Sequence, residues 1–216
     1  MKPPRPFRFV CHGRPTLRIA TSFGWLPGAR YTNLQDIRGF DRIGLIDVDW
    51  REYDFKRHLS AVKATCPVVT IARDVERIED LKKTLDQASE LALWCRHVVL
   101  VPKDLRFAVE MDRIPERFIL GYSVPTRYGG TAIPVSSFAG RSVHILGGRP
   151  DVQYLLSRVL RVFSFDGNRF TVDAAYGDYF NGKRFTPHQR GGYYECIRSS
   201  LRGINRLWDQ RRRRAK

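Results

Sequence analysis

The stretch VVTIARDVERIEDLKKTLDQASELALWCRHVVLVPK, residues 68–103, reads as strand, helix, strand. Residues 68–74 and 98–103 are short, valine-rich apolar runs, the pattern of strands covered on both faces. Between them Ile78, Leu81, Leu85, Ala88, Leu91 and Ala92 form an apolar stripe, predicting a helix within 75–95. A strand, a crossover helix and a second strand make parallel neighbours joined right-handedly.

The same rhythm continues in both directions. Apolar runs at 7–13 (FRFVCHG), 17–23 (LRIATSF), 43–50 (IGLIDVDW), 118–124 (FILGYSV), 142–148 (SVHILGG) and 162–168 (VFSFDGN) bring the expected strands to eight. A second helix is predicted over 149–160, with Pro150 at its start. A third follows Gly191-Gly192, with Tyr194, Ile197, Leu201, Ile204 and Leu207 at helical spacing. Eight strands alternating with helices point to a compact, irregular (β/α)8 TIM-like barrel; an open doubly wound α/β sheet is the alternative. Two places resist that pattern. Only RPT separates the first two expected strands, too short for a parallel crossover. The segment 106–117 is a poor helix, interrupted by Pro115. No internal repeat or linker divides the chain, so residues 1–216 read as one domain with a basic C-terminal helix and tail.

Charge is the loudest bulk signal. Lys and Arg number 38 against 22 Asp and Glu, a net charge of +16, and RRRRAK (211–216) adds a local block. Such an excess points to a polyanion, with nucleic acid the favoured partner. No run of about 18 apolar residues is present, so no membrane span is expected. The opening MKPPRPFRF lacks a secretory signal, so a cytoplasmic protein is expected. Cys11, Cys66, Cys95 and Cys196 are scattered and offer neither a zinc knuckle nor a disulfide framework. His12, His58, His97, His144 and His188 form no ligand-spaced pair, and His144, inside a strand, reads as a core histidine. No metal ligand set is predicted. LGGRP (146–150) lacks the G-x-G-x-x-G spacing of a dinucleotide site.

In a barrel of this kind, acids and loops at the C-terminal strand ends build the site. Asp47 and Asp49 are expected on one face of the strand 43–50, and Asp74 ends the next. In RVFSFDGNRF (161–170), Val162, Ser164 and Asp166 are expected on one face, with Phe163 and Phe165 packing under helices on the other. Asp74 and Asp151 also read as helix caps. Lys103, Arg127, Arg149 and Arg169 stand near these ends as candidates for phosphate contacts. Carboxylates converging at one mouth repel, so at least one needs a raised pKa or a cationic partner. That arrangement suits work on a glycosidic bond, one carboxylate attacking the sugar carbon and the other moving a proton.

This succession of strand ends, over residues 40–170, resembles the tRNA-guanine transglycosylase superfamily, particularly its DNA-modifying branch (DpdA-like proteins), which inserts 7-deazaguanine bases. LIDVDW matches the Asp-Ser-Gly-Gly acid/base motif at Asp47, with Val48 and Asp49 in place of Ser-Gly, so Asp49 shares that candidacy. TIARDVE supplies Asp74 for the guanine edge. LGYSVPT echoes a Gly-rich strand at Gly121, and HILGGRPDVQ echoes another at Gly147 and Gly148. FSFDGN matches the nucleophile at Asp166. The resemblance implies exchange of guanine in DNA for a 7-deazaguanine co-substrate such as preQ0, through a covalent Asp–sugar intermediate. Tyr122, an aromatic near a strand end, is a candidate to stack on the base. Phe23 and Trp25 are further stacking candidates. It implies no cofactor, and zinc is not expected, because the cysteine-rich motif of the tRNA-modifying members is lacking; DNA is favoured over tRNA for the same reason. A homodimer or a partner subunit fits the short length. Three rival functions stay open: a DNA glycosylase, a nuclease holding Mg²⁺ on Asp47, Asp49 and Asp74, and a non-catalytic nucleic-acid-binding subunit.

Overall fold

A computed structural model of the chain describes residues 5–126 and 129–214. Eight parallel strands close into a barrel in chain order: β1 (Phe7–Cys11), β2 (Leu26–Arg30), β3 (Leu45–Asp47), β4 (Val69–Ile71), β5 (His97–Leu100), β6 (Ile119–Ser123), β7 (Ser142–Leu146) and β8 (Arg161–Asp166). The last strand returns to the first, with Phe9 opposite Asp166. Helices α1 (Arg14–Ser22), α2 (Phe55–Thr65), α3 (Leu81–Leu91), the single turn α4 (Phe107–Glu110) and α5 (Pro150–Leu156) connect successive strands. Beyond the barrel come α6 (Arg169–Ala174), an antiparallel pair β9 (Asp178–Phe180) and β10 (Phe185–Pro187), and the long α7 (Tyr193–Arg214). The (β/α)8 architecture is therefore the observed one.

One expected strand is a helix. Residues 17–22 belong to α1, which Phe23 caps and whose Pro15 sits in the first turn, where a missing N–H costs nothing. Its Leu17 and Ala20, one turn apart, are buried against the sheet. The second strand is instead LPGAR, β2, carrying two residues that strands ordinarily avoid. Gly28 is required there, because a Cβ would stand 2.7 Å from Cys11 Sγ and 2.9 Å from Leu45 Cβ. With α1 inserted, the crossover that RPT was too short to supply is present.

Strand alternation divides the apolar residues into two layers. Phe9, Leu45, Val69, Ile71, Val99, Val101 and Ile119 fill the inside of the barrel, with Phe7, Leu26 and Phe163 packed on them. Val10, Ala29, Ile46, Leu100, Leu120, Ile145 and Phe165 face outward under the helices. The two faces expected for β8 are rearranged by an irregularity: Val143 pairs with Val162 but His144 pairs with Ser164, so Phe163 has no partner. This extra residue turns Phe163 inward, against Phe7 at 5.4 Å and His97 at 4.7 Å between ring centroids, while Phe165 stays outside, stacked on Trp208. Val162 therefore shares the outer layer with Phe165. Aromatic filling closes the lower interior, so the barrel is a packed core and not a passage.

The predicted helix at 75–95 begins later than expected. Val75 forms a parallel bridge with Pro102, a short helical turn covers Ile78–Asp80, and α3 then buries Leu81, Thr84, Ala88 and Leu91. Ala92 falls outside that stripe and is exposed. In α7, Ile197, Leu201, Ile204 and Leu207 are buried as expected, but Tyr194 is 45% exposed.

Candidate active site at the barrel mouth

All eight strands run the same way, so their C-terminal ends share one rim. Cys11, Asp47 and Asp166 end β1, β3 and β8 at that rim. Asp47 accepts the Val48 backbone N–H at 2.8 Å. Burial lifts its pKa to about 7, and the negative charge of Asp166 adds to the lift; the Val48 N–H and Arg30 oppose it, and Asp74 contributes a smaller push. The half-buried Cys11 thiol is likewise raised well above its usual value, by desolvation first and then by Asp47 and Asp166. It is a packed thiol rather than a ready nucleophile.

Asp166 is held from two sides. Its Oδ1 accepts the Gly147 N–H at 3.0 Å and stands 3.5 Å from His144 Nε2. His144 is fully buried in the barrel, and its Nδ1 meets Ser164 Oγ at 2.8 Å. Gly147 presents its N–H from a left-handed backbone (φ +63°), which a side chain would strain. The buried Gln153 of α5 clamps the turn, its Nε2 donating to the carbonyls of Gly147 and Asp166, both at 2.6 Å.

Beside this pair opens a cleft of about 540 Å³, lined by Asp49, Trp50, Tyr53, Arg73, Asp74 and Lys103 among others. Lys103 Nζ lies 3.6 Å from Asp74 Oδ2. Burial raises the Asp74 pKa to about 6; Lys103 pulls it down and Glu76 pushes it up. Asp74 is thus an ion-paired acid at the rim and not a helix cap. Val48, next in the chain to Asp47, also lines this cleft, so the two groups of acids adjoin.

The structure brings together Asp47, Asp49, Asp74, Lys103, Gly147 and Asp166, and leaves other candidates elsewhere. Because β3 stops at Asp47, Asp49 lies in the following loop and shares no strand face with it; its carboxylate accepts the Arg51 N–H at 3.3 Å. Tyr122 points outward and packs on Phe138 at 5.2 Å between ring centroids, buried under the helical layer. Gly121 faces the packed interior, where a Cβ would come 2.6 Å from Val101 Cγ2. Gly148 lies against Val124, at φ +85°. Arg149 pairs with Asp151 at 3.1 Å, and Arg169 with Asp173 at 2.6 Å. Arg127 lies outside the described residues. Trp25 is core, edge-on to Phe165 and Phe170, with its Nε1 donating to Asn205, and Phe23 sits near the opposite end of the barrel with Phe7 and Leu26. Gln153, Trp50 and Arg73 were not singled out in the sequence. Trp50 alone carried a readable signal, a large aromatic directly after LIDVD. Among the described residues, no group of three His, Cys, Asp or Glu side chains is arranged to hold a metal ion.

Fold and rim together define an eight-stranded parallel α/β barrel with an acidic mouth. The chain belongs to a family of unknown function (DUF6610), whose model matches residues 20–209 and so takes in Asp47, Asp74 and Asp166. No curated protein matches it.

Proposed function

We propose that the barrel mouth exchanges guanine in DNA for a 7-deazaguanine base such as preQ0. The observation that carries this reading is the pair Asp47 and Asp166, on one rim, in electrostatic contact, with Asp47 lifted to about 7. Two carboxyl groups in unlike environments suit one as proton carrier and the other as nucleophile.

In the proposed reaction a guanine nucleotide leaves its stack and enters the mouth. Asp166 attacks C1′; the bond from C1′ to the base breaks, and a carboxylate–sugar bond forms. Protonated Asp47 gives its proton to the departing guanine. The ionised Asp47 then takes the N9 proton of the incoming 7-deazaguanine, N9 attacks C1′, and Asp166 is released as a carboxylate. Asp74 accepts from the N1–H and exocyclic N–H of the base edge, and Lys103 favours its ionised form. Trp50, 69% exposed with the Arg51 guanidinium 5.1 Å from its ring centroid, takes the stacking role that the sequence suggested for Tyr122. The proposed reaction needs no cofactor beyond the co-substrate base.

Nucleoside mass spectrometry after incubation with preQ0 and either DNA or tRNA tests the reading. The expected product is 7-deazaguanine nucleoside in DNA, lost in Asp166→Asn while the variant keeps its fold and its DNA binding. Full exchange by Asp166→Asn overturns the assignment. Abasic sites in place of exchanged bases would identify a glycosylase.

A further inference from the structure

Away from the mouth, two clefts lie on the seam between α1 and α7. The first, about 500 Å³, is lined by Arg14, Pro15, Arg18, Ile19, Tyr194 and Arg198. The second, about 530 Å³, is lined by Phe23, Arg202, Asn205, Arg206, Asp209 and Gln210. Arg198, Arg202 and Arg206 recur every four residues along α7, so they rise along one side of the helix in steps of roughly 6 Å. Arg14 and Arg18 stand opposite them on α1. An aromatic marks each cleft: Tyr194 in the first, and Phe23 in the second with the Arg202 guanidinium 5.6 Å from its ring centroid.

Some of these charges are engaged. Arg14 donates to the Arg38 carbonyl, and Arg198 pairs with Glu195 at 2.6 Å. Asp209 is shared by Arg5 and Arg8. Arg18, Arg202 and Arg206 are exposed and enter no ion pair among the described residues. The seam reaches the mouth at its upper end, where Tyr193 OH meets Nε2 of His12, the residue after β1, at 3.4 Å.

We propose that this seam is the track on which a nucleic-acid strand is held by its phosphates. Guanidinium groups stepped along a groove match a linear polyanion, and an aromatic in each cleft offers a base a stacking surface. An amphipathic surface that lies on an anionic bilayer carries an exposed apolar face, whereas the seam offers exposed arginines in two facing rows along a groove between two helices. The proposal deepens the base-exchange reading and rests on it for the strand's course into the mouth. Binding itself needs none of the rim acids.

The test is fluorescence anisotropy of a labelled single-stranded oligodeoxynucleotide of roughly 16 nucleotides. The triple variant Arg18→Glu, Arg202→Glu, Arg206→Glu is compared with a control, Lys82→Glu, Lys83→Glu, Arg96→Glu, which reverses as many charges at α3 and the turn after it. Both are checked for an unchanged unfolding midpoint. The seam variant is expected to bind at least about tenfold more weakly, with a shallower dependence on salt, and the control to bind within about twofold of the parent. Equal weakening in both variants would mean that overall charge suffices, and undiminished binding in the seam variant would mean that another face is used; either outcome overturns the proposal. Asp166→Asn serves as a further arm. It is expected to bind like the parent, so a failure of the catalytic reading leaves the seam's result standing.

Discussion

The imidazole of His144 and the carboxylate of Asp166 face each other across β7 and β8, with Nε2 and Oδ1 3.5 Å apart. Nε2 has no hydrogen-bond partner among the described residues, whereas Nδ1 is tied to Ser164. The ring is thereby fixed from below and aimed at the acid above it. His144 is a positioning residue for Asp166 in the proposed reaction.

His144→Leu separates that role from packing. The substitution leaves the buried Ser164 hydroxyl unpaired, at a cost of about 1–3 kcal/mol. Adding Ser164→Ala removes both polar partners and is expected to restore most of that stability. Exchange should stay at least roughly tenfold below the parent in the double variant, because Asp166 still lacks its neighbour. Urea unfolding and kcat for base exchange check the two halves. Recovery of rate along with stability would reduce His144 to a core residue.

Gln153 acts on the same acid through the backbone. Its amide satisfies two carbonyls at once, so Gln153→Ala is expected to destabilise the protein by about 2–3 kcal/mol. The Gly147 turn would loosen with it, lowering kcat more than it raises KM for the incoming base. A variant that changes KM alone would place Gln153 with base binding instead.

Asp47 sets a pH dependence of stability. Its carboxyl titrates near 4 in an unfolded chain and near 7 in the folded protein. Between those values the folded state keeps a proton that the unfolded state has released, so stability falls as pH rises from about 4 to about 7 and levels off above. For a group at a partly hydrated rim the loss is on the order of 2 kcal/mol. Asp47→Asn removes the titration: it is expected to exceed the parent by about that amount near pH 8 and to match it near pH 4. Urea unfolding across this range provides the measurement. Parallel curves for the two proteins would mean that the barrel rim does not raise the Asp47 pKa.

Much of this arrangement was legible because the pattern was local. The stretch 68–103 announces strand, helix and strand through its own periodicity, and the acids at strand ends follow once the strands are parallel. β2 was hidden because Pro27 and Gly28 are poor strand formers, tolerated where Gly28 lets neighbouring strands approach. LRIATSF is a short apolar run that suits either element, and only burial of Leu17 and Ala20 against the sheet decides. Tyr122 carried a contradiction that was available in advance: it adjoins Gly121, and strand alternation forbids both from facing the mouth. The unpaired Phe163, the His144–Asp166 contact and the Gln153 clamp depend on residues brought together across strands, which no spacing within one strand reveals.

Lys103 offers the sharpest probe of the second acid. In the folded protein Asp74 titrates near 6, raised by burial and by Glu76 and held down by Lys103. Lys103→Met keeps the length of the side chain and removes the charge, so the Asp74 pKa should climb by about one unit. If Asp74 grips the base edge as a carboxylate, KM for guanine or preQ0 near pH 6.5 should rise severalfold in this variant and recover above about pH 8, where Asp74 is ionised again. Asp74→Asn should show the loss without the recovery. A pH-independent rise in KM for Lys103→Met would mean that Lys103 touches the substrate itself, and the assignment of the base edge to Asp74 would fall.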